Sequence, residues 1–274
     1  MNYYQSAKCP EIPVRNADFG FDEIPKYWMA NDPLMTHYFT GLSTLFPEGE
    51  AFFVRAVRSL RGKVKSNQDM DVKIGAFIGQ EAMHSREHHA FHLSAKKHGL
   101  DPESLEDFTG KILGFIERNT SPKTRLLITT ALEHYTAVLV VEMMRSVNEF
   151  MTDDNIRDLW LWHSVEETEH KAVAFDMYEY LYGKGLSAYI PRVTVYGASL
   201  ALISVASVGY QFVLMKRDGQ WPSMKSLGQF SLFAVKSYRR FIPKFLDYLR
   251  PNFHPDDDDA SELVMQTKKT LGMS

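Results

Sequence analysis

Cysteine is almost missing: Cys9 is the single one in 274 residues. That excludes an internal disulfide and any cysteine-rich metal site. Positive charge is not in surplus either, because 31 Lys and Arg stand against 34 Asp and Glu. Nothing therefore marks the chain for a phosphate backbone, and no nucleic-acid partner is expected. The opening residues MNYYQSAKCPEIPVRN lack a basic stretch followed by an apolar run, so no secretory leader is read and a cytoplasmic location is expected. Also missing are G-x-S-x-G, a glycine-rich phosphate loop, a dinucleotide fingerprint and H-E-x-x-H. Serine-nucleophile, nucleotide and common zinc-protease chemistries find no foothold. Strand-like alternation is scarce, which leaves the helix as the building unit.

What is present is a globular composition, 45% hydrophobic and 24% charged, with helical periodicity from about residue 34 onward. Three regions are read: an extended N-terminal arm over 1–40, a helical bundle over 41–184, and an apolar helix with a C-terminal helical extension over 185–274. The arm carries Pro10, Pro13, Pro25 and Pro33 with Phe19, Phe21, Tyr27 and Trp28. So many rings need a surface to cover, and an exposed arm of this kind is compatible with a homodimer. Bundle helices are expected over about 46–60, opened by Pro47, and 69–98, stopped by Gly99. Two more are expected over 122–150, capped by Ser121, and 153–182, opened by Asp153 and Asp154 and stopped by Gly183. Residues 99–121 then cross between two helical hairpins.

Residues 193–215 carry no charge and are long enough to cross a bilayer. Ser199, Ser204, Ser207 and Gln211 make them only moderately apolar. A helix buried on the bundle is the first reading and a membrane contact, with a membrane-associated location, the second. The run Asp256 to Asp259 reads as a solvated acidic loop, with a calcium site a distant second.

Histidine is the unusual abundance, ten in all, with His84, His88, His89, His92 and His98 close together. Four segments place acids or imidazoles where an inward stripe should be apolar. They are Glu50 in FPEGEAFF, Glu81 and His84 in GQEAMHSREHH, Glu133 in TALEHYTA, and Glu167 and His170 in HSVEETEHKAVAFD. Two of them read Glu-x-x-His, whose members share a helix face about a turn apart, so that one metal can take ligands from both. Near-equal chain lengths separate Glu50 from Glu81 and Glu133 from Glu167. Each hairpin thus brings a lone Glu to the level of its Glu-x-x-His. Four carboxylates gathered out of water cannot all ionise without cations. Two divalent ions would offset the charge, and carboxylate oxygens with one imidazole nitrogen per metal suit iron or manganese.

This set resembles the ferritin-like di-iron carboxylate proteins. The wording FPEGE, QEAMHSREH and EETEHKAVAFD is similar to a bacterial family of predicted metal-dependent hydrolases, over roughly residues 12–215. The resemblance implies an all-α fold, a ferritin-like four-helix bundle holding two Fe ions, with Mn or a mixed Fe/Mn pair as alternatives. It implies that Glu50, Glu81, Glu133 and Glu167 are bridging and terminal ligands and that His84 and His170 each give a nitrogen. Which carboxylates bridge stays open.

His88 lies one turn after His84, and His163 one turn before Glu167. On antiparallel helices both fall at one end of the site, as an extra ligand, as a layer lining its mouth, or as a hydrogen-bonded core pair. Glu166 and Gln80 each precede a ligand Glu and either hold an imidazole N–H across the bundle or have no role. Glu166, His88 and His163 are the candidate catalytic residues. Glu87 and Glu169 read as solvent-facing or salt-bridged, and His89, His92 and His98 as surface histidines. His134 points away from the site, while Tyr135, Trp160 and Trp162 are core rings.

Three activities follow from such a site. The first is oxidation or hydroxylation of a hydrophobic small molecule by O2, with electrons from an external donor because no flavin or nicotinamide site is present. Phe53, Phe77, Ile78 and Val138 would line the substrate, and residues 193–215 would wall it. The second is metal-dependent hydrolysis by a metal-bridged water, with His88 and His163 as oxyanion groups. The third is handling or storage of iron or oxygen without an organic substrate.

Overall fold

A computed structural model describes residues 12–273, so Cys9 and Pro10 lie outside the described residues. Among those described, every extended regular element is helical; the nearest to a strand is an isolated bridge between Met29 and Met151. The helices are α1 (Pro33–Ser43), α2 (Phe46–Arg61), α3 (Gln68–Lys96), α4 (Glu103–Asn119), α5 (Pro122–Arg145), α6 (Asp154–His170), α7 (Val173–Tyr182), α8 (Leu186–Asp218), α9 (Met224–Asp247) and α10 (Ser261–Leu271). Short 3-10 turns cover Val147–Phe150 and Pro255–Asp257.

Three of the bundle helices open on side-chain caps. The side chains of Asn67, Ser121 and Asp153 each accept a bond from the backbone N–H three residues on, satisfying donors that the first turn leaves free. Helix α2 packs along α3 and against α5, and α6 packs along α5 and against α3. These four surround the interior where the acids and imidazoles meet. Apolar clusters close the two ends: one around Trp28, Phe39, Phe91 and Trp160, the other around Phe52, Val57, Phe77 and Leu126.

Four expectations need correction. The arm does not stay extended to residue 40, because Asp32 caps α1, which begins at Pro33. Residues 99–121 hold a helix of their own, α4, with Leu105, Thr109 and Leu113 inward at i, i+4 spacing. Pro102, just past the Gly99 stop, opens this helix. The helix over 153–182 breaks at Lys171 and Ala172, directly after His170, into α6 and α7.

The last correction concerns 193–215. These residues belong to the longer α8, which is not buried. Its inward stripe runs through Arg192, Tyr196, Ser199, Ser207 and Gln211, while Leu202, Val205, Val208 and Phe212 face outward. Two helices are long and apolar enough to cross a membrane, α5, which is mostly buried, and α8, which is mostly exposed. The inward polar groups explain the reversal. Arg192 donates to Arg250 O at 2.6 Å and Gln211 to Leu34 O at 3.0 Å, so polar residues anchor α8 and its apolar ones are left outside. Gly41 permits the close approach of α1 to this helix, since a Cβ there would lie 3.0 Å from Gln211 N.

The arm's rings are spent on its own chain. Phe21 and Trp28 are buried, and the Phe19 and Trp162 rings lie 5.6 Å apart. An exposed aromatic arm therefore gives no argument for a dimer.

Candidate metal centre

Glu50 comes from α2, Glu81 and His84 from α3, Glu133 from α5, and His163, Glu167 and His170 from α6. All are buried. Their ligand atoms fall into two groups, Glu50, His84, His163 and Glu167 in one and Glu81, Glu133 and His170 in the other, with the atoms of each group within 4.8 Å of one another. Glu167 Oε1 joins the groups: it lies 3.1 Å from His163 Nε2, 3.5 Å from His84 Nδ1 and 3.5 Å from His170 Nε2. In the second group, His170 Nε2 is 3.2 Å from Glu81 Oε1 and 3.6 Å from Glu133 Oε2.

Glu81 and His84 thus fall in different groups, whereas Glu167 reaches His170 as well as its own group. The reason is helical rise. Residues three apart sit about 4.5 Å apart along the axis, so Glu81 and His84 meet different levels.

Outer contacts decide which nitrogen faces inward. Gln80 Nε2 donates to Pro13 O and to Glu169, both at 2.9 Å, so its Oε1 accepts from His170 Nδ1 at 2.7 Å. That leaves the lone pair of His170 on Nε2, toward Glu81 and Glu133. Glu166 Oε2 lies 3.2 Å from His84 Nε2, and Glu166 Oε1 accepts from Arg15 at 2.9 Å. A carboxylate there puts the proton on Nε2 and directs His84 Nδ1 inward.

A chain of contacts does the same for His163. His163 Nδ1 meets His88 Nε2, His88 Nδ1 meets Ser43 Oγ, and Ser43 Oγ meets His92 Nε2, each at 2.7 Å. His92 Nδ1 then meets Glu106, whose other oxygen takes His89 Nδ1 at 2.8 Å. Glu106 as a carboxylate only accepts. With neutral rings every link must therefore donate outward, from His163 Nδ1–H to Glu106, and Nε2 of His163 is left as a lone pair facing Glu167 and Glu50. Aromatic rings wall the imidazoles: Phe77 against His170, Trp162 against His84 and Phe46 against His88.

Charge crowding appears in the titration of these groups. Burial pushes the Glu50 carboxyl up to about 8. Burial and the neighbouring carboxylates raise Glu81 and Glu133 well above the usual range. For Glu167 burial is outweighed by His170, His163 and His84, which hold it well below. Burial opposes a charge on His84 and His170, but their carboxylate partners carry them up to about 10 and about 9. Burial and the charge on His84 lower His163 to about 4, and burial lowers His88 well below its usual value. In the chain by itself, protons take the place of cations.

The residues fit metal ions on a separate ground. Both oxygens of Glu81 and of Glu133, Glu50 Oε1, Glu167 Oε2, His84 Nδ1 and His170 Nε2 are buried without a hydrogen-bond partner among the described residues. Buried polar atoms are nearly always satisfied, and a cluster of such atoms converging on one space is what coordination would satisfy.

A cavity of about 300 Å³ between α2, α4, α5 and α8 ends at Glu50 and Glu167. Its walls include Phe53, Ile112, Leu132, Val195, Leu202 and Ile203, so α8 does wall it. Phe77, Ile78 and Val138 are not among its lining residues, nor are Glu166, His88 and His163. Glu166 lies against His84 and Arg15, His88 against His163 and Ser43, and His163 against Glu167. His92 is buried and not at the surface, and His98 is half-buried with a bond to Ile24 O. Glu87 and Glu169 are paired with Arg86 and with Arg15 and Lys268. His134 bonds Lys244 O, away from the centre.

Sequence reasoning missed Ser43, Glu106 and Arg15. The signal for the first two was present, since His84, His88 and His92 repeat every four residues and so form a single imidazole stripe that needs polar partners.

An all-helical protein with a buried carboxylate–imidazole cluster able to bind metal ions is thus defined. Residues 13–259 match the family described as predicted metal-dependent hydrolases, and the chain belongs to it. No curated protein and no solved structure matches the chain.

Proposed function

We propose that the protein is a dinuclear metal-dependent hydrolase in which α2, α3, α5 and α6 make a ferritin-like bundle around two ions. Glu50, His84 and His163 would hold one ion and Glu81, Glu133 and His170 the other, with Glu167 within reach of both groups. The observation that carries this reading is the set of partnerless buried ligand atoms grouped about Glu167 at the inner end of the cavity. Iron or manganese suits so carboxylate-rich a set. Bound there, a cation pair supplies Lewis acidity and a water acidified toward neutral pH.

The chain's own residues position everything else. Ser85 Oγ donates to Glu50 Oε2 at 2.9 Å, fixing the carboxylate that faces the cavity. Gln80, Glu166 and the His88–Ser43–His92–Glu106 chain set the tautomers of His170, His84 and His163. The apolar walls exclude bulk water and favour a hydrophobic substrate. In hydrolysis the water's hydroxyl goes to the electrophilic carbon or phosphorus and its proton to the leaving atom.

One observation favours a second reading, oxidation of a hydrophobic compound by O2 with an external electron donor: the cavity lining offers no imidazole or cation for an oxyanion. Metal analysis of protein purified without added metal, followed by anaerobic assay of nitrophenyl acyl esters with iron, manganese or zinc, tests the proposal. Expected are two ions per chain and anaerobic, metal-dependent turnover. No anaerobic turnover, with donor-dependent oxygen uptake by the ferrous protein, would replace hydrolysis by oxidation. Oxygen uptake ending in mineral growth would mean storage.

A further inference from the structure

The outward side of α8 contains no charged residue from Val193 to Met215, a length of about 35 Å at helical rise. Val205 is 73% exposed and Val208 58%. A helix lying on its own core in water shows the opposite arrangement, apolar inward and charged outward. Helix α9 repeats the feature. Phe230, Phe233 and Phe241 pack into the core, while Met224, Leu227, Leu232, Val235, Ile242 and Leu246 stand exposed. Exposed rings border this face. Phe108 of α4 lies 6.4 Å from the Tyr210 ring and Trp221 lies 6.3 Å from Phe212. Scattered exposed apolar residues need no explanation, but an uncharged exposed run of this length along α8, with α9 held beside it where Tyr196 donates to Phe245 O at 3.0 Å, marks a contact surface.

Two observations select lipid as the occupant. The first is charge. Lys216, Lys225, Lys236 and Arg239 are exposed around the two helices with no acidic partner among the described residues, and the only acids on α8 and α9 are Asp218 and Asp247. Basic residues beside an apolar helix face match an anionic lipid surface. The second is the cavity. Ala198 and Leu202 are exposed and also line it, so its mouth opens on the apolar face. A second copy of the chain seated there would seal the mouth, whereas a bilayer would supply it with apolar chains. Because the inner side of α8 is fixed to α1 and α5, a bilayer meeting this face would have the helix lying along it.

We propose that the outward faces of α8 and α9 rest in the surface layer of an anionic bilayer, and that the cavity draws from it a single-chain amphiphile whose polar end meets Glu50 and Glu167. The second half rests on the dinuclear reading; the first stands without it.

The test is sedimentation of the full-length protein with vesicles of phosphatidylcholine, with and without phosphatidylglycerol. Expected is at least tenfold stronger binding to the anionic vesicles, weakened by salt. Binding should fall at least tenfold in the double variant Val205→Asp, Val208→Asp, with bound metal and helical content unchanged. No binding to either vesicle overturns the proposal. So does a wild-type dimer by light scattering that the double variant converts to a monomer, which assigns the face to a second copy. For the cavity, a fluorescent long-chain fatty acid should bind the wild type and the double variant but not Ala206→Trp, whose indole fills the space. Equal binding by Ala206→Trp overturns the cavity half. Metal analysis of the same samples reports separately on the dinuclear reading.

Discussion

The space between α2, α3, α5 and α6 and the outward side of α8 and α9 invert the usual order of a folded chain in opposite senses. The first gathers carboxylates and imidazoles where apolar side chains belong. The second shows valine, leucine and phenylalanine where charges belong. The compensation differs. Around the centre the chain supplies a full outer layer of its own: Arg15, Gln80, Glu166, His88, Ser43, His92 and Glu106 all reach inward groups or one another. On α8 and α9 it supplies only a rim of cations. An interior inversion must be offset within the fold, because burying an unpaired charge costs several kcal/mol. A surface inversion can be left for whatever lies outside to offset.

Substitutions should break this comparison in order of size. Phe77 is fully buried and its ring lies 4.9 Å from that of His170. Phe77→Ala should cost about 3–5 kcal/mol in denaturant unfolding. Removal of metal by a chelator should lower stability by about 3 kcal/mol, the linkage expected when free metal stands near 100 times its dissociation constant, and scanning calorimetry reads it directly. Gln80→Leu leaves His170 Nδ1 without its acceptor, so metal affinity by titration should fall about 10–100-fold, with the same loss expected for Ser43→Ala acting through His88 and His163. Gly79→Ala drives a Cβ to 2.6 Å from Val14 Cγ2. It should cost about 1–3 kcal/mol and make the arm beside Pro13 and Arg15 more open to protease. The smallest effect belongs to the other region: Val208→Lys should shift unfolding by no more than about 0.5 kcal/mol. A larger loss would mean that this surface is covered by another part of the chain.

Much of the arrangement was legible in the residues. The paired Glu-x-x-His segments with their lone Glu partners located the six acids and imidazoles that meet, and His163 was flagged by its position one turn before Glu167. The Ser121 cap, the Asp153–Asp154 opening and the stops at Gly99 and Gly183 bounded the helices. Helix α4 escaped because residues 99–121 read only as the crossover between the hairpins, and with Pro102, Gly110 and Gly114 its helix propensity is poor, which packing on α2 outweighs. The break after His170 escaped because nothing in Lys171-Ala172 is a helix breaker.

The chemistry of the centre was set by sequence alone, because periodicity along one helix is a local property and fixes which side chains share a face. How those side chains divide into two groups about Glu167, which nitrogen each imidazole turns inward, and which side of α8 remains outside were decided only by tertiary structure. Each of these depends on atoms of different helices meeting in space, and a pattern within one helix carries no information about the level or rotation of its neighbours.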